Sequence, residues 1–501
     1  MSSSTSSPKR AGKAFFEFRT LTAFDIFYQL TYMSAMASAG ITRSKTFGLA
    51  AKSGSPAADY FVAVNTLVDE IRLDYPDACR TVGEKAKSEG MKSFLLRFSD
   101  ALRSGEPLAD FLAREAEVQG VNYQNEYERD IESLKQWTDA FSSIVVSVSL
   151  IVIVQVVSSM IYTMDTKVML GLVATGLLMS FFGAWIISRA APREMMTIKA
   201  NQGSEEQRQA YNIATISLPI MLVVMLLLIL LKVNLGIVLI VGAAIMLPVG
   251  IMSLTSDKKT NKKNEEFSTF LRSVGGMATS SGTTLKDSLT KIDLSSFPTM
   301  QKDIARLSTR LNALVDPTIC WAKFGQESGS RLIAEATSIF YSAITMGGDP
   351  ERVGYLCSLF TSTTAQLRAK RRLVSSTFSG LTLVMQAVVA GLMIFVLEVI
   401  NNFVALMNEV MMPEETAADA ASAAPVNMNL AFVLFTPEQL RFLTIMTVAM
   451  VVLLAIVSAV AIISADGGYK LKTAFFLALA WVISGVCFLV VPPMVASILS
   501  G

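Results

Sequence analysis

The densest chemistry in the chain is a pair of basic clusters: Lys258, Lys259, Lys262 and Lys263, then Arg368, Lys370, Arg371 and Arg372. Ammonium and guanidinium groups at this density bind anions. The candidates are phospholipid headgroups, at about 1 kcal/mol per basic residue near a membrane surface, and an acidic partner surface. The two readings are compatible. Catalysis has far less to work with. The chain has no histidine, which removes the usual general base and commonest metal ligand. It has no G-x-x-x-x-G-K-[ST] loop to hold a nucleotide. Cys79, Cys320, Cys357 and Cys487 form no C-x-x-C pair and read as reduced core thiols. The expectation is no catalytic residue, no metal, no cofactor and no enzyme activity.

Both clusters flank long apolar runs, and those runs position them. The 501 residues are 52% hydrophobic, with mean hydropathy +0.48, too apolar for a soluble chain of this length. Seven runs are long enough to cross about 30 Å of hydrocarbon: 141–162, 168–189, 215–231, 233–254, 376–400, 440–464 and 473–498. The first basic cluster follows the fourth run and the second precedes the fifth. Residues 1–13 are Ser-rich and basic, with no apolar stretch behind them to make a signal peptide; residues 1–20 are expected to be a disordered basic N-terminus.

Charge sets the orientation, because Lys and Arg accumulate on the cytoplasmic side. With the N-terminus inside, only Lys167, Lys232 and Arg441 of the 43 basic residues fall outside. The loop 401–439 is then extracytoplasmic, and it holds Glu409, Glu414, Glu415, Asp419 and Glu438 with no Lys or Arg. The inward stretches are basic: Arg189, Arg193, Lys199, Lys470 and Lys472. Seven spans put the C-terminus outside. The net charge of +2 averages two opposed faces and is no nucleic-acid signature. Ionisable groups in the runs are terminal: Arg189, Arg441 and Glu398 can all reach water. The last run has no lysine for a retinal.

The polar sequence between the runs says something twice. Phe24-x-x-Phe27 then Ser38-Ala-Gly40-Ile-Thr42 returns as Phe267-x-x-Phe270 then Ser280-Ser-Gly282-Thr-Thr284. Ser104-Gly105-Glu106-Pro107 returns as Gly347-Gly348-Asp349-Pro350. Phe24, Phe27 and Gly105 recur 243 residues later, at Phe267, Phe270 and Gly348. This is far longer than solenoid repeats of about 20–50 residues, so a domain and its following span have been duplicated. Met91, Phe94, Leu95, Phe98, Ala101 and Leu102 mark one helical face. Leu332, Ala336, Ile339, Phe340, Ala343 and Ile344, then Val353, Leu356, Leu359 and Phe360, mark its counterpart. Gly105 and Gly348 are expected at φ > 0, with Pro107 and Pro350 in the first turn of the next helix. The fold class is therefore all-α: a multi-pass α-helical membrane protein with two repeated cytoplasmic helical bundles, 21–140 and 255–375.

Repeat, topology and missing chemistry together resemble the platform proteins of type II secretion and type IV pilus machines. The resemblance covers roughly 24–162 and 267–400. The four-span block between the copies and the two extra C-terminal spans resemble the archaeal branch, most of all the archaellum platforms. The resemblance implies a cell-membrane protein without a catalytic centre. Its implied partners are a hexameric secretion ATPase on the cytoplasmic side, the pilin or archaellin filament base, membrane lipids and a second copy in a homodimer. The implied role is coupling ATP-driven movement to filament assembly and, in the archaellum, rotation. An orphan transporter or receptor is the alternative.

Overall fold

Helices make up the regular structure of the computed structural model, which describes residues 18–158, 166–192, 194, 196–198, 203–411 and 437–499. The basic tail up to residue 17, Arg193, Lys199 and loop residues 412–436 lie outside the described residues. Among those described there is no strand, only an isolated bridge between Thr197 and Ser330.

The first polar segment builds α1 (Ala23–Ala37), α2 (Arg43–Ala50), α3 (Ala58–Ile71), α4 (Tyr75–Glu84) and α5 (Glu89–Ser104). A capping box starts α1: the Asp25 N–H donates to Thr22 Oγ1 at 3.3 Å, and the Thr22 N–H donates to Asp25 Oδ2 at 3.0 Å. The S-x-G-x-T motif is a helix–helix corner. Gly40, at φ +67°, turns the chain after α1, and Thr42 caps α2 by accepting the Lys45 N–H at 3.4 Å. The apolar face expected on α5 is buried throughout. Phe98 stacks on Phe47 and Phe111 at centroid distances of 5.3 and 5.4 Å, within the range where aromatic pairs attract.

Gly105 ends α5 at φ +75°, and the 51-residue α6 (Leu108–Ser158) follows. Next come α7 (Thr166–Ala190), α8 (Glu205–Leu230) and α9 (Leu235–Ser281). The second copy then repeats the first corner. Gly282 sits at φ +57°, and Thr284 caps α10 (Leu285–Lys291) by accepting the Asp287 N–H at 3.3 Å. Helices α11 (Gln301–Asn312), α12 (Pro317–Glu327) and α13 (Arg331–Thr345) lead to α14 (Pro350–Met411).

The second Gly-acid-Pro corner differs from the sequence expectation. The positive φ, +97°, falls on Gly347 and not on Gly348. Gly348 answers a packing constraint instead: a Cβ there would lie 2.9 Å from the Ala343 carbonyl oxygen and 3.1 Å from Val353 Cγ2. Asp349 caps α14, its Oδ2 accepting the Arg352 N–H at 3.0 Å. Most of the face marked on this copy is buried, but Ile344 and Leu356 are only half-buried and Leu359 is exposed.

The chain divides into two compact units. Both polar segments share the first, made of residues up to 129, 195–205 and 258–369. Within it the two copies pack on each other: the Phe360 ring lies 5.1 Å from Phe27 and 5.8 Å from Phe24, and Arg352 pairs with Asp110 at 2.7 Å. The second unit, 130–194, 206–257 and 370–501, holds the apolar runs. It is completed by α15 (Pro437–Asp466), a 3-10 turn (Lys470–Lys472) and α16 (Thr473–Leu499). Among the described residues, seven helices are long and apolar enough to cross a membrane. Three of them, α6, α9 and α14, continue without a break from residues of the first unit into residues of the second. In the second unit Gln386, 2% exposed, donates to Ser484 Oγ at 3.1 Å and to the Val451 carbonyl at 3.3 Å, joining α14, α15 and α16. Such bonds matter between membrane helices, where lipid tails compete equally for apolar contacts.

The two corners separate experimentally. Gly105→Ala, with nothing within 4 Å of its Cβ, should lose about 1 kcal/mol from backbone strain alone. Gly348→Val should lower the melting temperature further, because its side chain meets backbone. Thermal unfolding of the full chain in detergent measures both. A smaller loss at Gly348 than at Gly105 contradicts the packing argument.

Candidate functional site

The basic clusters do not present eight free cations. Lys263 is buried and pairs at 2.7 Å with buried Asp303 on α11. Arg368 is buried as well. Arg371, 2% exposed, is spent on three carbonyls: Nε donates to Ala465 at 2.8 Å, Nη1 to Pro192 at 3.0 Å and Nη2 to Ser464 at 3.1 Å. These three residues are therefore removed from the expected docking set. Lys258, Lys259, Lys262 and Lys370 remain exposed, and Arg372 is half-buried. The helical period carried this information. Lys263 stands four and seven residues before buried Phe267 and Phe270, and Arg371 stands seven residues after buried Thr364 and seven before buried Phe378.

Arg371 is one member of a larger buried ionic hub in the second unit. Lys472 Nζ lies 2.6 Å from Asp466 Oδ2 and 2.9 Å from Asp257 Oδ2, and its side chain is 6% exposed. The other Asp257 oxygen accepts the Tyr469 N–H at 3.3 Å, and the Tyr469 hydroxyl donates to the Gln207 carbonyl at 3.1 Å. Gly467 is required here, at φ +68°, because a Cβ would lie 2.4 Å from the Arg371 guanidinium. Lys472 meets both carboxylates and Arg371 meets backbone carbonyls, so two cations and two carboxylates make the hub formally neutral.

The hub gathers the chain at the adjacent ends of six apolar helices. Pro192 follows α7, Gln207 begins α8, and Asp257 lies beyond the apolar part of α9. Arg371 precedes the apolar part of α14, Asp466 ends α15 and Lys472 precedes α16. Its cations and carboxylates neutralise one another inside the protein, and no thiol lies among them. What the arrangement offers is geometry: it fixes six helix ends against one another. Sequence reading counted Lys472 among the basic residues of the inward-facing stretches and passed over Asp257 and Asp466. The available signal was Asp466-Gly467-Gly468, an acid and two glycines in a loop too short to reach far from the membrane.

The cysteines stay structural. All four are free, and burial pushes the Cys79 and Cys320 thiols above their ordinary range. A thiol in that state is a poor nucleophile.

Residues 30–158 match the family described as Type II secretion system (T2SS), protein F. The match begins inside α1 and ends with α6, so the matched segment is the first polar module together with the first candidate span. The chain is also similar to Flagella accessory protein J of Methanocaldococcus jannaschii, 24% identical over 439 residues that cover 84% of this chain and 75% of that protein. Flagella accessory protein J of Methanococcus voltae is 20% identical over 433 residues, with the same coverage of 84% and 75%. No solved structure matches the chain. The matched segment thus ends with α6, while the hub ties the ends of the six other apolar helices.

The hub makes a sharp stability prediction. Lys472→Met leaves Asp257 and Asp466 buried without their cation and should cost about 3–5 kcal/mol, the usual penalty for breaking a buried ion pair. Adding Asp466→Asn to Lys472→Met should restore much of that stability, since one cation then again stands against one carboxylate. Thermal unfolding in detergent checks both. A single variant as stable as wild type, or a double variant no better than the single, contradicts the assignment.

Proposed function

We propose that this chain is the membrane platform of an archaeal type IV pilus-like machine, with the archaellum as the favoured system. The observation that carries the proposal is the protein F match together with the repeat of that segment's pattern. A helical module whose last helix continues as a membrane-crossing candidate occurs at the N-terminus and again after residue 260, and the two copies pack into one unit. The names of the two relatives support the archaellum over other filament systems.

In this reading the chain does no chemistry of its own. A cytoplasmic hexameric secretion ATPase supplies movement, the paired modules receive it, and α6, α9 and α14 carry it covalently toward the apolar bundle. Packed helices move as rigid bodies, which suits this task, and the filament base takes up the result as assembly or rotation. The N-terminus and both modules are cytoplasmic, and the C-terminus is outside. The ATPase docks in part through Lys258, Lys259, Lys262 and Lys370, the cluster residues the structure leaves exposed.

Orientation has a direct test. The native thiols Cys79, Cys320 and Cys357 are buried, so background labelling is low. A cysteine at Ala417 or Ser422 should react on whole cells with a membrane-impermeant thiol reagent, while one at exposed Lys262 should react only after lysis. The reverse pattern overturns the assigned ATPase face.

Docking has a separate test. Glu substitution of Lys258, Lys259, Lys262 and Lys370 should weaken binding of the purified full-length chain to the ATPase. Wild-type binding should weaken with salt, because exposed charges are screened beyond about 8–10 Å at ordinary ionic strength. Binding insensitive to both charge reversal and salt would remove these lysines from the interface.

A further inference from the structure

The second unit contains a groove that neither the hub nor the proposed docking surface uses. It lies between α6 and α14, the helices that end the two repeated modules, and encloses about 350 Å³. Its two walls differ in kind. Glu132, Lys135 and Asp139 line it from α6, while Leu373, Phe378 and Leu381 line it from α14. Phe378, part of that lining, meets Phe141 of α6 edge-on at 5.9 Å.

Three observations define an occupant. The first is level: the apolar run of α6 begins at residue 141 and that of α14 at 376, so the groove sits where headgroups meet hydrocarbon. The second is apolar exposure. Leu373 is 70% exposed and Leu381 46%, and Val384 and Val388 continue the same helical face at 63% and 55%. The third is charge. The side chains of Glu132, Lys135 and Asp139 are exposed and make no ion pair among the described residues. One ammonium flanked by two carboxylates complements a zwitterion and carries a net negative charge that disfavours an anion.

We propose that this groove binds one amine-bearing phospholipid. Its phosphodiester sits on Lys135, its ammonium on Glu132 or Asp139, and one acyl chain runs along Leu381, Val384 and Val388. The proposal rests on the membrane-crossing reading of the seven helices and is independent of the ATPase. A lipid held there contacts both repeat-related helices at once, so the headgroup composition of the membrane bears on how those two helices pack.

Native mass spectrometry of the full chain in detergent, titrated with phosphatidylethanolamine or phosphatidylglycerol, tests this. Wild type should retain one phosphatidylethanolamine in preference to phosphatidylglycerol by about two- to fivefold, the range expected for one exposed ion pair. Glu132→Gln combined with Asp139→Asn should invert the preference, because Lys135 then faces the headgroup alone. Leu381→Trp, which fills the apolar wall, should abolish retention of both lipids. The inversion is the decisive arm, since both substituted residues are exposed and a folding defect cannot reverse a preference. Equal retention of the two lipids by wild type, or an unchanged preference in the double variant, overturns the proposal. So does a groove occupied by a second copy of the chain, seen as a dimer that excludes lipid.

Discussion

Lys472 can be buried only because Asp257 and Asp466 reach it from two other helices. An isolated ammonium in a low-dielectric interior is so unfavourable that the group would lose its proton or pull the structure apart. The constraint works in reverse too: with Lys472 fixed between them, the end of the apolar part of α9, the end of α15 and the start of α16 are held to one another. Arg371 extends it to the carbonyls of Pro192, Ser464 and Ala465, and Tyr469 extends it to Gln207. Apolar packing alone could not define that geometry, because helices in lipid gain little from apolar contact with one another that lipid does not already give. Gln386 plays the same part deeper in the bundle, as a neutral amide.

The aromatic faces of the first unit set a different kind of constraint. Phe24 and Phe27 recur as Phe267 and Phe270, yet their surroundings are not copies. Phe27 meets Phe360 from the other module, whereas Phe270 stays among its own at 5.9 Å from Phe324. The two segments share a sequence pattern, and one face of the first packs on the second. The Arg352–Asp110 pair near the starts of α14 and α6 marks that junction from the polar side. An exposed pair of this kind adds little stability, about 0–1 kcal/mol, so the buried rings hold the modules together.

Much of this is legible in the amino-acid sequence. Apolar length announced the seven helices, and the faces of α5 and α13 followed from period alone. The S-x-G-x-T motif was visible as a repeat, and its meaning is a left-handed glycine followed by a threonine cap. The Gly347-Gly348 corner was misread because sequence alignment pairs Gly348 with Gly105, while the turn takes its positive φ one residue earlier. The hub was missed for a more general reason. Asp257, Asp466 and Lys472 are spread over more than two hundred residues, and each looks like an ordinary charge at a membrane boundary. Only packing shows that they face inward together. For Lys263 and Arg371 the register was available, but a basic cluster beside a membrane run invites a surface reading of every member.

What emerges is a membrane bundle with a pinned set of helix ends, and a paired module whose first copy is similar to protein F over residues 30–158. The central claim is that filaments are built on this frame. The most direct measurement is electron microscopy of cells lacking the gene, complemented with wild type or with an empty vector. The account predicts bald cells with the empty vector and restored surface filaments with wild type. Normal filaments on the deletion cells would contradict it.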